Sequence, residues 1–113
     1  MDIMDKAKEL GRSIACSEEM LRLKNAEAAL ENDSWAKQLM NDYKKLQMDV
    51  VRATKDKKDK NIIDKLKEDL VQKQLELNEY SITKEYLLSK NEFDGFMKTV
   101  NDVIIFSITG MVL

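Results

Sequence analysis

Apolar residues recur three or four positions apart along nearly the whole chain, the period of α-helices that pack by one face. Ile3, Ala7, Leu10 and Ile14 share one side of a helix predicted over about residues 2–15. Ser17 suits the cap of a second helix, and Glu18 and Glu19 follow it in the first turn, where carboxylates favour the positive end of the helix dipole. That helix is predicted over about 18–31, with Met20, Leu23, Ala26 and Leu30 inward. Asn32-Asp33-Ser34 interrupts it, because these short polar side chains compete for backbone hydrogen bonds. Ala36, Leu39, Tyr43, Leu46, Val50 and Ala53 then form a heptad-like seam, which Trp35, Met40 and Val51 widen beyond a two-stranded zipper.

Thr54-Lys55-Asp56-Lys57-Lys58-Asp59-Lys60 has no apolar side chain to bury and reads as an exposed connection. Asn61, followed three residues later by Asp64, resembles a variant capping box, and Ile63, Leu66, Leu70 and Leu77 continue the helical spacing. The third and fourth helices therefore read as an antiparallel hairpin. After Asn78-Glu79-Tyr80-Ser81 the register shifts to Ile82, Tyr86, Ser89, Phe93, Met97, Val100, Ile104 and Ile108. One continuous helix over that stripe would be about 40 Å long, so part of it is expected to project or to pair with another chain. A break near Asn91, beside the poor helix formers Asp94 and Gly95, is the alternative, and Gly110 suits a stop.

Composition agrees with the pattern. The 113 residues contain no proline and only three glycines, with 43% apolar and 35% charged side chains. The expected fold is all-α: a bundle of four or five helices with a long antiparallel hairpin and a long C-terminal helix, forming a single domain over residues 1–113.

Counting also removes whole classes of chemistry. Without histidine the chain can build neither Ser-His-Asp nor Cys-His catalysis nor His-containing metal sites. The single Cys16 allows no internal disulfide and no CxxC pair, in keeping with a reducing cytoplasm. A formal charge of −2 leaves no global footprint for nucleic acid. The N-terminus lacks the basic start and apolar run of a secretory signal. The apolar stretch Val103–Leu113 falls short of the roughly 20 residues that span a bilayer.

Glu18, Glu19, Glu27 and Glu31 read as solvated helix faces, since di-metal carboxylate bundles rely on Glu-x-x-His pairs. No metal, cofactor, small-molecule substrate or catalytic activity is expected. Arg52, Lys55, Lys57, Lys58 and Lys60, with Lys65 and Lys67, form the densest basic stretch and are the candidate contacts for a nucleic-acid-binding regulator. Asp56, Asp59 and Asp64 dilute that stretch, and no aromatic side chain interrupts it as a stacking platform. Cys16 is either a reactive or shared ligand thiol or, more often for such a position, a small apolar contact. Met20, Met40, Met48, Met97 and Met111 serve as gap-filling core or as an adaptable partner surface. Val103, Ile104, Ile105, Phe106 and Ile108 are apolar on nearly every side of a helix, which a small monomer cannot easily bury. Oligomerisation is the expected outcome, with packing inside one chain or contact with a membrane surface as the alternatives. Phe93, Met97, Val100, Ile104 and Ile108 are the candidate core or oligomer-interface residues.

The run Ala7-Lys8-Glu9-Leu10-Gly11-Arg12-Ser13-Ile14, then Ser17-Glu18-Glu19, Lys24-Asn25-Ala26-Glu27, Asp33, Ala36, Leu39, Tyr43 and Leu46-Gln47, resembles the YlbF/YmcA family of small helical bacterial proteins. Tyr86, Phe93, Met97, Val100-Asn101 and Ile104-Ile105 resemble the last helix of that family. The resemblance implies a cytoplasmic, all-helical, non-catalytic regulatory adaptor from a Firmicute-type bacterium, self-associating as a homodimer or higher oligomer or assembling with related helical proteins. Relatives act in control of competence, sporulation and biofilm formation. Some do so in a complex that influences a membrane-associated ribonuclease and mRNA processing, and that complex can carry iron-sulphur clusters. This chain ends at Leu113 without the cysteine-containing tail of those relatives, so no cluster is expected. A shorter branch of the superfamily, whose members have no assigned role, shares that feature, and a homo-oligomeric protein of unassigned role is the corresponding alternative.

Overall fold

A computed structural model describes residues 2–110, and among them it contains five α-helices and no strand. The helices are α1 (Ile3–Ala15), α2 (Glu18–Glu31), α3 (Ser34–Lys55), α4 (Lys60–Glu79) and α5 (Ser81–Thr109). The all-α expectation holds at five helices. Met111-Val112-Leu113, the end of the expected apolar terminus, lies outside the described residues.

Short polar side chains define the boundaries. Asp2 caps α1 by accepting the Asp5 N–H at 2.8 Å. The Ser17 hydroxyl accepts the Met20 N–H at 3.2 Å while donating to the Ile14 carbonyl at 2.6 Å, thereby closing one helix and opening the next. Asp33 caps α3 through the Ala36 N–H at 2.8 Å. The cap of α4 is Asp59, which accepts the Asn61 N–H at 3.2 Å, so the helix begins before the Asn61 start that the spacing indicated.

The connection between α3 and α4 is shorter than its polar composition implies, because α3 runs on through Thr54 and Lys55. The Thr54 hydroxyl donates to the Val50 carbonyl at 2.8 Å, and Arg52 and Lys55 sit in the last turn, where cations suit the negative end of the dipole. The helix then ends in a Schellman arrangement: the Lys58 N–H reaches the Ala53 carbonyl at 3.0 Å and the Lys57 N–H the Thr54 carbonyl at 3.2 Å. This places Lys57 at φ 53, a left-handed conformation normally occupied by glycine.

The helix α5 is continuous through Asn91, Asp94 and Gly95, with no break near residue 91. Its 29 residues extend about 43 Å at 1.5 Å per residue. A Lys90–Asp94 pair at 3.7 Å spans the turn that holds Asn91, a Lys98–Asp102 pair at 3.9 Å follows beyond Gly95, and the Thr99 hydroxyl donates to the Gly95 carbonyl at 3.2 Å. Gly110, at φ 69, ends the helix with its N–H on the Phe106 carbonyl at 2.7 Å.

The contacts divide the chain into two compact units, residues 28–85 and the two end segments up to 27 and from 86. The first unit is built on the α3–α4 hairpin. The Tyr80 hydroxyl, at the end of α4, donates to Asp33 Oδ2, at the start of α3, at 2.6 Å, and Gln74 Nε2 donates to the Tyr43 hydroxyl at 3.2 Å, pairings whose residue numbers fall on one helix as they rise on the other, as antiparallel helices require. Ala36, Leu39, Met40, Ala53 and Leu77 are buried, while Tyr43, Leu46, Val50, Ile63, Leu66 and Leu70 are half-buried. Trp35 and Val51 do not widen this core as their spacing implied; they are 56% and 60% exposed. In the second unit Leu23, Ala26 and Ser89 are buried, and Met20, Tyr86, Phe93, Phe96, Met97 and Val100 are half-buried. The Phe93 and Phe96 rings lie 6.2 Å apart at 43°, a tilted aromatic contact. Arg22 forms an ion pair with Glu92 there, but both side chains are about half exposed, so the pair contributes little.

Candidate interaction surface

Helix α1 is well formed at its ends, with the Asp2 cap, Asp5 in the first turn and Arg12 in the last. Yet it contains no buried residue. Ile3, Ala7 and Leu10 are exposed and Ile14 is half-buried, although the four share one face. A helix of 13 residues is marginal in water on its own, and in proteins such helices gain most of their stability from an apolar face that packs. Here much of that face remains in water.

Beside it, within the same unit, Leu10 of α1 and Phe96, Thr99, Val100, Val103 and Ile104 of α5 line a groove of about 270 Å³. Its one side-chain hydroxyl, on Thr99, is turned to the Gly95 carbonyl, so the lining is apolar in effect. The last turns of α5 extend the exposed apolar surface through Val103, Ile104, Phe106 and Ile108.

Of the candidate interface residues, Val100 and Ile104 line this groove, Phe93 and Met97 are half-buried in the same unit, and Ile108 lies beyond the groove at 77% exposure. The stripe through Phe93, Met97, Val100 and Ile104 omitted Phe96 and Val103 as groove residues. A second series of small steps, Phe96, Thr99, Val100 and Val103, was available in the sequence and marks the same side of α5.

The basic candidates are in the other unit. Arg52 and Lys55 end α3, Lys57 and Lys58 form the turn, and Lys60 begins α4, with all five exposed. Lys65, farther along α4, pairs with Asp69 at 3.1 Å, and that carboxylate raises the Lys65 pKa. At the opposite end of the hairpin the Tyr80 hydroxyl donates to Asp33 Oδ2 at 2.6 Å. That bond, helped by the Ala36 N–H, holds the Asp33 carboxyl below its ordinary range, and the same bond raises the Tyr80 hydroxyl. Cys16 is exposed at the end of α1. Among the described residues no three or more His, Cys, Asp or Glu side chains gather as a metal cluster, and no helix is long and apolar enough to cross a membrane.

Comparison with solved structures aligns the chain with the X-ray crystal structure of Bacillus subtilis RicA in complex with RicF, at a TM-score of 0.74 and 15% identity, covering 96% of this chain and 94% of that one. At that identity the likeness establishes a shared fold. No curated protein matches the chain. The family model for Com_YlbF, described as control of competence regulator ComK, YlbF/YmcA, matches residues 3–109, which is nearly the whole length, and the chain belongs to that family.

Proposed function

We propose that this chain is a non-catalytic regulatory adaptor that works in the bacterial cytoplasm by self-association and by assembly with related helical proteins through the α1–α5 apolar face. The observation that carries the reading is the amphipathic α1, which has no buried residue and lies against a groove lined by α5. The exposed parts of Ile3, Leu10, Val103, Ile104 and Ile108 amount to roughly three whole apolar side chains, each worth about 1.5–3 kcal/mol when removed from water. Patches of this kind on small proteins mark partner surfaces. Phe93, Met97 and Val100 would support the contact from beneath, and Ile104 and Ile108 would enter it. Family membership supports the regulatory role, and the RicA structure, solved with RicF, supports association between proteins as the mode of action.

The test is a pull-down of the tagged protein from its native cytosol, with an Ile104→Glu variant as control. Recovery of the untagged chain, a second YlbF/YmcA-type protein or a ribonuclease, lost in the variant, is the expected result. Recovery of none of these, or recovery unchanged in the variant, would count against the adaptor. For nucleic-acid binding through Arg52–Lys60 the support is exposure alone, which any solvated turn shares.

A further inference from the structure

We propose that the notch between the start of α3 and the end of α4 receives an arginine side chain of a partner protein. Trp35, Leu39, Glu76, Glu79 and Tyr80 line this notch, whose volume is about 310 Å³. It lies in the unit of residues 28–85, shares no residue with the α1–α5 groove, and stands or falls independently of the assembly proposed there.

Three different features of the notch favour a cation. The first is the indole of Trp35, the chain's only tryptophan, which is 56% exposed and offers an aromatic face whose quadrupole attracts positive charge. The second is Glu79, which makes no ion pair with any described residue, together with Glu76, whose charge is shared with Lys73 at 2.9 Å. The third is the backbone of α4: its C-terminal carbonyls concentrate negative potential, its last turn contains no basic residue, and both glutamates lie within that turn. Carboxylates at this end of a helix oppose the dipole, and a bound cation removes that opposition.

The walls are held in place before any ligand arrives. Tyr80 is tied through its hydroxyl to Asp33, and Asp33 in turn caps α3 one turn below Ala36, so the segment bearing Trp35 is fixed to the end of α4. Leu39 supplies an apolar floor that suits the methylenes of a long side chain. A planar guanidinium can stack on an indole while its N–H groups reach carboxylates, which a compact, strongly hydrated ammonium does less well. Phosphate-bearing partners are disfavoured, since the charged side chains lining the notch are both acidic. The notch is shallow and open, so the guanidinium belongs to a protein whose adjoining surface adds the rest of the contact.

The experiment titrates the ¹⁵N-labelled full chain with the peptide acetyl-Gly-Arg-Gly-amide and with its citrulline counterpart, which has nearly the same shape and no charge. Saturable shifts of the Trp35 indole N–H and the Glu79 and Tyr80 amides are expected with arginine and not with citrulline. Glu79→Gln, at an exposed position that leaves the fold intact, should weaken binding about fivefold, and the Glu76→Gln/Glu79→Gln pair should abolish saturation. Shifts spread evenly over the acidic surface, equal shifts with citrulline, or affinity unchanged in the paired variant would overturn the assignment.

Discussion

Thr83 offers the sharpest test of how the α4–α5 junction is held. It is the third residue of α5 and fully buried, and its hydroxyl donates to the Leu77 carbonyl at 2.6 Å, with the Tyr80 carbonyl 3.0 Å away. The Tyr80 carbonyl keeps a second donor, the Lys84 N–H at 2.9 Å. The Leu77 carbonyl belongs to the last turn of α4, where the helix itself supplies no donor. Thr83→Val preserves shape and strands that carbonyl in the interior, at a cost of about 2 kcal/mol, within the 1–3 expected for a buried group left unsatisfied. Thr83→Ser keeps the hydroxyl and loses one methyl, at about 1 kcal/mol. Helix propensity barely separates the three residues, so it does not blur the comparison. Urea unfolding followed by circular dichroism at 222 nm reads both changes as shifts in midpoint at constant slope. A serine variant less stable than the valine variant would show that packing, and not the hydroxyl, holds the junction.

Other positions give further expectations. Gly95 lies inside α5, and a Cβ built there meets nothing within 4 Å, so Gly95→Ala should raise stability by about 0.5–1 kcal/mol in the same urea assay. Lys57 occupies the left-handed region at φ 53, and Lys57→Gly should stabilise the hairpin by about 1 kcal/mol, whereas a loss would mean that its side chain makes contacts that outweigh the backbone strain. The Tyr80 hydroxyl lowers the Asp33 pKa, so the contribution of this carboxylate is present above its unfolded-state value near 3.9 and is lost as pH falls through its lower folded value. Acid titration of stability should therefore be flatter in Asp33→Asn than in the wild type over that acid window. The raised Tyr80 pKa acts at the other extreme, with stability present below about 10 and lost as pH rises through the folded value, a loss that Tyr80→Phe should remove.

Much of the architecture was legible from periodicity and caps. The Ser17 and Asp33 boundaries followed from short polar side chains at the ends of apolar stripes, and Ala36, Leu39, Ala53 and Leu77 are buried where the hairpin spacing placed them. The cap of α4 was less legible, because Asp59 lies within a run of lysines and aspartates where several residues could serve. α5 continues through Asn91–Gly95 because weak helix formers cost only about 1 kcal/mol or less each, and the half-buried Phe93, Phe96 and Met97 on the same turns gain more than that by packing, which a residue-by-residue propensity does not count. Trp35 and Val51 illustrate a different limit: spacing shows that a residue is on an apolar face, but burial also needs a neighbour to cover it. The same limit applies to α1, whose stripe was plain in the sequence while its exposure emerged only with the surrounding helices in place. The aromatic notch was not legible at all, since it joins Trp35 to residues more than forty positions away.

Sedimentation equilibrium, from low to high micromolar protein, tests the proposed assembly most directly. Val103 is the companion position, because it lines the groove yet is 60% exposed, so a glutamate there stays in water in the isolated chain and becomes buried only on association. The account predicts a wild-type mass that rises with concentration from monomer to dimer or beyond, and a Val103→Glu variant that remains monomeric with the same helical content. A wild-type chain that stays monomeric throughout, or a variant that associates as the wild type does, would contradict it.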